Sequence, residues 1–412
     1  MNRWRSLGFA LTALACAAWP PVAAASPPVG WLCEATPSLD ALEAARQAVE
    51  DNMAYPLGGG AHIGSAFGFA RPSPPDAADP NATLRVLEAF VFGLGDHHVS
   101  LDTNSRNSPR LVPTAATVWA EARPEGVIVT AVRQGSPART AGLREGMRIL
   151  TINGRTPETL QRPPSALGYE AEALGFAARV EMAGTHAQDA QVVSLGPNGL
   201  VSAVLSRSAE QAEGLVALTW PAPGVAHLRL NNSLGDDGLP AAFDAAMEEA
   251  RAAGVILLDL RDTPSGGDSM IARPLMSWFV QGEQPYQTHE RASGERWTET
   301  VVGRADAYRG RLLVLVDRWT GSMGEGTAIG LRAAAGATLI GSPMAGLRGA
   351  MGSFPLPCLG AALRLPVERL YEVAGGPREH ARPDILVTEA QLAAAGLEDA
   401  ILRLALHEAA RP

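Results

Sequence analysis

Apolar and polar positions follow three different patterns along the chain. Between residues 31 and 110 apolar positions recur at helical spacing, as in DALEAARQAVEDNM, and ATLRVLEAFVFGL predicts a helix that ends near Gly93 or Gly95. From about residue 115 to 195, short apolar runs such as TVWAEA and GVIVTAV predict strands. The first half of the chain is therefore expected to change from a helical region to a β-rich one.

The remainder of the chain, from about Val201, alternates strand and helix patterns. GVAHLRL, GVILLDLR and RLLVLVDR predict strands, while DGLPAAFDAAMEEARAAG and SMGEGTAIGLRAAAGA predict helices. Such alternation is typical of an α/β fold with a mainly parallel sheet flanked by helices. Functional residues in these sheets gather at the carboxyl ends of strands, where DLRDTPSGGD and DRWTGSMGE lie.

The first segment has the layout of a secretory signal peptide. Arg3 and Arg5 precede a short apolar run, and small residues end it at Ala25. We predict a signal peptide over residues 1–25, hence export to the periplasm or secretion, with no stable membrane insertion. The alternative is an amphipathic or membrane-spanning first helix, although the apolar run is short for a bilayer.

Export changes the interpretation of the cysteines. Only Cys33 and Cys358 remain after removal of residues 1–25, and an oxidising compartment would allow a disulfide between them. The alternative is two unpaired, partly buried thiols.

The net charge and the types of basic residue exclude some classes of function. The 412 residues carry a formal net charge of −9 and no basic block, which argues against a nucleic-acid partner. Every basic residue counted as Lys or Arg is an arginine. An arginine cannot accept a proton at ordinary pH, so a serine nucleophile here requires a histidine or carboxylate base.

Ser322 is the strongest candidate nucleophile. It lies in the turn-rich stretch WTGSMGEGTA between the strand pattern LLVLV and a helical pattern. A serine in this position is also a common helix N-cap, which is the structural alternative. His97 and His98 follow Asp96 at the exit of the helix that ends near Gly95, and either could be a base or a structural residue.

The run SPARTAGLREGMRILTINGR resembles a PDZ domain, which we assign to residues 113–198. Gly142 and Gly146 allow the tight turns between its short helix and the strand RILTIN. PDZ domains bind peptides by adding a strand beside an exposed sheet edge. The alternative is a spacer or lid that packs against its neighbour.

The order of these segments resembles the carboxy-terminal processing and tail-specific proteases and the related tricorn core protease. Thr320, Ser322 and Glu325 match the T-x-S-x-x-E motif of that family, and DLRDTPSGGD resembles its D-L-R-x-N-x-G-G loop. The resemblance implies an N-terminal helical region over 26–112 and a ClpP/crotonase-like serine protease core domain over 199–412. Leu347 stands where the processing proteases have their lysine base.

The tricorn-like branch of the family uses a Ser-His-Glu arrangement. Its D-x-H segment resembles GDHHVSL and selects His98, and its E-x-x-x-x-PD stretch resembles REHARPDILV and selects Glu379. The resemblance therefore implies Ser322 as nucleophile, His98 as general base and Glu379 as the carboxylate that orients it. Asp96 and Glu325 are alternatives for the carboxylate.

An oxyanion intermediate needs backbone amide donors, and we expect them from Gly266 or Gly267 together with Met323. The resulting prediction is an exported serine endopeptidase that acts on a protein or peptide substrate, without a metal or organic cofactor. Its activity should rise with pH through roughly 6 to 7, where an imidazole loses its proton. The alternatives are a non-catalytic peptide or small-ligand binder on the same fold, and a hydrolase of esters or other acyl groups.

Overall fold

The computed structural model of the protein describes residues 37–55, 60–70, 81–164, 170–206, 213–357 and 359–411. The predicted signal peptide over 1–25, Cys33 and Cys358 lie outside the described residues. The fold is of the mixed α/β class, as predicted. None of the described helices has the length and apolar character that a bilayer crossing requires.

The helices and strands are numbered in chain order. The helices are α1 (Pro37–Asn52), α2 (Gly60–Ala70), α3 (Ala82–Leu94), α4 (Pro137–Thr140), α5 (Glu170–Ala183), α6 (Leu239–Ala250), α7 (Ser269–Ser277), α8 (Met323–Ala335), α9 (Glu389–Ala394) and α10 (Ala400–Ala409). The strands are β1 (Ser100–Leu101), β2 (Val118–Arg123), β3 (Gly126–Val132), β4 (Arg148–Ile152), β5 (Ala190–Gly196), β6 (Gly199–Leu205), β7 (Val216–Ala222), β8 (Val225–Leu230), β9 (Val255–Asp259), β10 (Glu283–Arg291), β11 (Arg296–Val302), β12 (Arg311–Val316), β13 (Thr338–Gly341), β14 (Ala350–Leu356), β15 (Ala361–Tyr371) and β16 (Ile385–Leu386).

The central sheet has the order β16-β13-β12-β9-β8-β7, and all its pairings are parallel except that of β7 with β8. Both of its faces are buried. Ile256 and Leu258 of β9 pack with α6, α7 and α8, while Leu257 packs with α10 on the other face. This explains why the strands are continuous apolar runs, and it confirms the predicted parallel sheet with flanking helices.

A second sheet is antiparallel, with the order β2-β3-β4-β5-β6. Its core contains residues of α4 and α5, including Ala138, Ala178 and Met182. Ser136 caps α4 by accepting the Arg139 N–H at 3.2 Å. Strand β6 belongs to this sheet, so the β-rich region continues past the predicted boundary at 198.

The third sheet was not predicted from the sequence. It has the order β1-β15-β10-β11, and β14 also pairs with β15. Leu363 and Leu365 of β15 pack against Leu42, Leu87 and Phe90 of the N-terminal helices. β10 and β11 contain many polar residues, as in EQPYQTHER and RWTETVV, so they lack the apolar runs that reveal the central strands.

Candidate active site

A tight turn joins β12 to α8 and carries the candidate nucleophile. The Asp317 carboxylate accepts the Trp319 N–H at 2.8 Å. The Thr320 hydroxyl accepts the Asp317 N–H at 3.1 Å and donates to the Leu260 carbonyl at 3.1 Å. These bonds fix the turn against the end of the neighbouring strand β9, and α8 begins immediately afterwards at Met323.

Ser322 has an unusual backbone conformation. Its φ is 51° and its ψ is −111°, a region that residues other than glycine rarely adopt. Such a conformation costs on the order of 1–3 kcal/mol and persists only where the surroundings enforce it. The Ser322 N–H donates to the Glu325 carboxylate at 2.8 Å, and the side chain is half-buried. The turn therefore presents the serine at the start of a helix in a strained backbone.

The loop after β9 lies directly against this serine. Gly266 has a φ of +65°, and a Cβ added to it would lie 2.5 Å from the Ser322 Cβ and 3.2 Å from the Met323 nitrogen. Only glycine allows this approach. Of the expected amide donors, that of Gly266 is occupied, because it donates to the Thr263 carbonyl at 3.0 Å. Within the described residues the amides of Gly267 and Met323 have no acceptor, so these two are available for an oxyanion.

His98 is oriented by a backbone carbonyl. Its Nδ1 lies 2.5 Å from the Arg348 carbonyl oxygen, and its backbone N–H donates to Asp96 at 2.9 Å. Because a carbonyl can only accept, Nδ1 carries the proton and Nε2 is left as a proton acceptor.

Burial lowers the pKa of His98 to about 4; the Arg348 carbonyl and the Asp96 charge oppose this shift, and the Arg378 charge adds to it. The imidazole is therefore neutral at pH 7, as a general base must be.

His97 has a different environment. Its Nε2 accepts a hydrogen bond from Arg179 Nε at 2.9 Å, and its ring stacks on Phe176 at a centroid distance of 4.3 Å. Burial and the positive charges of Arg179 and Arg348 hold its pKa well below the usual value. An Nε2 that already accepts from a guanidinium cannot also accept the proton of a serine, so His97 is a packing residue at the contact between α3 and α5.

The carboxylate of Glu379 contacts Tyr55 and not His98. It is in the single 3₁₀ turn Arg378–His380, and its carboxylate accepts a hydrogen bond from the Tyr55 hydroxyl at 3.4 Å. Burial raises the pKa of Tyr55, and the charge of Glu379 raises it further, so the phenol stays protonated and donates. No ion pair or hydrogen bond joins Glu379 to His98 in this structure.

Glu325 holds two loops together. The carboxylate is buried and accepts the N–H groups of Ser322 at 2.8 Å, Gly346 at 2.8 Å and Leu347 at 3.2 Å. Burial raises its pKa to about 7, while the Arg378 charge and the three amides favour the ionised form. It therefore positions the serine turn instead of orienting a histidine.

Leu347 packs beside the serine turn. Its side chain is 5% exposed, and its Cδ1 would lie 3.3 Å from a Cβ added to Gly321. The position is apolar and offers no proton acceptor.

Two functional features were missed in the sequence. The Arg348 carbonyl could not be found from residue types, because every residue has a carbonyl. The Arg179 guanidinium lies over the Trp119 ring at 5.0 Å, and Arg318, four residues before Ser322, lies over the same ring at 5.1 Å. The spacing of these side chains along the chain gives no signal of that stack.

No three of the His, Cys, Asp and Glu side chains in the described ranges are grouped so as to hold a metal ion. The features that remain are a strained serine at a helix start, two unoccupied amides and a neutral histidine with a free Nε2. These are the kinds of group that a serine hydrolase uses as nucleophile, oxyanion donors and base.

The family comparison is more specific. Residues 224–387 match peptidase family S41. The matched segment includes Ser322 and Glu379, and the enzyme class that the match indicates is serine peptidase. None of the curated proteins compared with the chain matches it.

Solved structures share the fold across most of the chain. The photosystem II D1 C-terminal processing protease is 18% identical with a TM-score of 0.55, and the match covers 89% of this chain and 98% of that one. Mature CPAF complexed with lactacystin is 13% identical with a TM-score of 0.57, covering 89% and 97%. A putative peptidase from Parabacteroides merdae is 12% identical with a TM-score of 0.56, covering 91% and 98%.

Proposed function

We propose that the chain is an endopeptidase in which Ser322 attacks the peptide carbonyl and His98 takes its proton. The observation that carries the proposal is the strained Ser322 at the start of α8, with Gly266 pressed against it. The proton moves from the serine hydroxyl to Nε2 of His98, while Nδ1–H remains bonded to the Arg348 carbonyl. The acyl-enzyme is then hydrolysed by water, with His98 acting as acid and base in turn.

The amides of Gly267 and Met323 donate to the oxyanion in this proposal. Each such donor is worth on the order of 3 kcal/mol in the transition state. The charge of Asp96, whose carboxylate accepts the His98 backbone N–H, favours the imidazolium that forms. Glu379 acts as a positioning residue through Tyr55 and not by direct contact with the histidine. The predicted signal peptide supports an exported enzyme.

A second candidate is a non-catalytic binder of peptides or small ligands. The buried Leu347 in place of a lysine base favours it, as does the absence of a Ser322–His98 hydrogen bond in this structure. Catalytic hydrogen bonds are often long or poorly aligned in ligand-free enzymes, so the missing hydrogen bond is compatible with catalysis.

The two candidates differ in turnover. We would incubate the mature protein with denatured casein and, separately, with p-nitrophenyl acetate, using Ser322→Ala as the blank. The proposal expects casein fragments that the variant does not produce. Ester hydrolysis without casein fragments would indicate an acyl hydrolase, and the absence of both would favour the binder.

A further inference from the structure

A cavity of about 230 Å³ lies beside the candidate site, between α3, α5 and the segment 108–115. Apolar side chains form much of its wall: Val91, Phe92, Leu101, Val112, Phe176 and Val180. An apolar cavity of about 150 Å³ is enough to bind benzene. The α3–α5 cavity therefore has room for a bulky apolar side chain.

Part of the wall of this cavity directly precedes the proposed base in the chain. Asp96 and His97 line it and directly precede His98. On another side, the lining residue Thr114 donates its hydroxyl to the Pro264 carbonyl at 3.4 Å. Its neighbour Pro113 lies against the serine turn, with Cγ 3.5 Å from a Cβ added to Gly321. The 112–114 segment thus has the cavity on one side and the nucleophile on the other.

The PDZ-like sheet does not offer its β2 edge to a peptide. Helix α5 covers that edge: a Cβ added to Gly175 would lie 3.3 Å from the Ala122 nitrogen. Arg179 also donates to the Ala120 carbonyl at 3.0 Å. A peptide could add as a strand beside β2 only if α5 moved away. While α5 covers this edge, a peptide substrate must bind at another surface.

We propose that the α3–α5 cavity receives a large apolar side chain of the peptide substrate. The chain would then select peptides with an aromatic or large aliphatic residue close to the scissile bond. Glu88, Asp96 and Arg110 also line the cavity, so charges of both signs are present and the expected selectivity rests on its apolar wall. This inference rests on the proposed peptidase function and names the substrate class for it.

The test uses a set of otherwise identical peptides in which each position in turn is Phe, Leu, Ala or Asp. Cleavage is followed by mass spectrometry for the wild type, with Ser322→Ala as the blank. Val180→Trp and Val91→Trp fill the cavity from two different helices. Ala171→Trp is the control, because it adds the same indole to an exposed position of α5. Thermal melting establishes which variants are folded.

We expect the wild type to cut Phe or Leu peptides about tenfold faster, or more, than the Ala peptide at one position. Filling the cavity should bring that ratio close to one, and Ala171→Trp should leave it unchanged. If one of the two cavity-filling variants is unfolded, the other still tests whether the cavity sets the side-chain preference. A wild type without side-chain preference, or one that cuts no peptide of the set, overturns the inference, as does a preference that survives in the folded filled variants.

The two proposals fail separately. If the folded wild-type protein does not react with a fluorophosphonate, the proposed nucleophile is wrong. If it reacts but cuts the peptides without preference, only the assignment of the cavity is wrong.

Discussion

In the proposed mechanism His98 is the general base, so its surroundings set the pH range of the activity. The sequence predicts a rise in activity through pH 6 to 7, but burial lowers the pKa of His98 to about 4. The base works only when neutral, so lowering its pKa moves the onset of activity to lower pH.

We therefore expect the rate of fluorophosphonate labelling to rise with pH through about 4 and to be level above pH 6. Tryptophan fluorescence at each pH separates this titration from acid unfolding. A rise centred between pH 6 and 7, or in the alkaline range, would contradict the assigned environment of His98.

Glu379 differs from the carboxylate of a Ser-His-Asp triad, which contacts the histidine directly. Replacing the carboxylate of a Ser-His-Asp triad by its amide lowers kcat about 10⁴-fold. Glu379 contacts Tyr55 and not His98, and a glutamine can still accept from the phenol. We expect Glu379→Gln to lower the labelling rate by less than about tenfold, far below the loss in a directly orienting triad. A loss near 10⁴-fold would mean that Glu379 moves onto His98 in the working enzyme.

At the scale of elements, Glu325 joins the start of α8 to the 346–347 loop. Glu325→Gln retains the shape but supplies one acceptor oxygen and an NH₂ group that faces amide donors. An unsatisfied buried donor costs about 1–3 kcal/mol. We expect a lower melting temperature together with slower labelling of Ser322. A variant as stable and as reactive as the wild type would show that the three hydrogen bonds do not hold the turn.

The Arg179, Trp119 and Arg318 stack joins α5, β2 and the serine turn. Arg179→Met keeps much of the side-chain length but removes the donor to His97 and to the Ala120 carbonyl. We expect slower labelling, because the turn that carries His98 loses its support. Arg106→Met is the matched control, since Arg106 is exposed. Equal rates for the two variants would limit Arg179 to a packing role.

The helices and strands predicted from the sequence agree with the structure in the central sheet, which is buried on both faces, and in the helices that cover it. β8, β9, β12, α6 and α8 occur within the predicted segments, because apolar runs and helical spacing directly reflect a parallel sheet covered on both faces. The third sheet was missed because β10 and β11 are polar-rich, and their partners are distant in sequence: β10 pairs with β15. Local patterns do not encode such pairings.

At the scale of the whole molecule, a small buried cluster joins the antiparallel sheet and α5 to the serine turn. Trp319, directly before the serine motif's threonine, is buried with Val112, Trp119 and Ala183, and its indole N–H donates to the Ala116 carbonyl at 2.6 Å. Arg318 pairs with Glu121 and Arg123 pairs with Glu389 across the same contact. Residue types and motifs predicted the candidate residues, but the carbonyl that orients His98 and the covered β2 edge depend on this packing and not on any local motif.

The most direct test of the account is fluorophosphonate labelling of the folded mature protein, compared with Ser322→Ala and His98→Ala. We predict labelling of the wild type at Ser322, none in Ser322→Ala, and a rate about 10²–10⁴-fold lower in folded His98→Ala, as expected for loss of a general base. Absence of labelling in the folded wild type, or labelling that persists in Ser322→Ala, would contradict it.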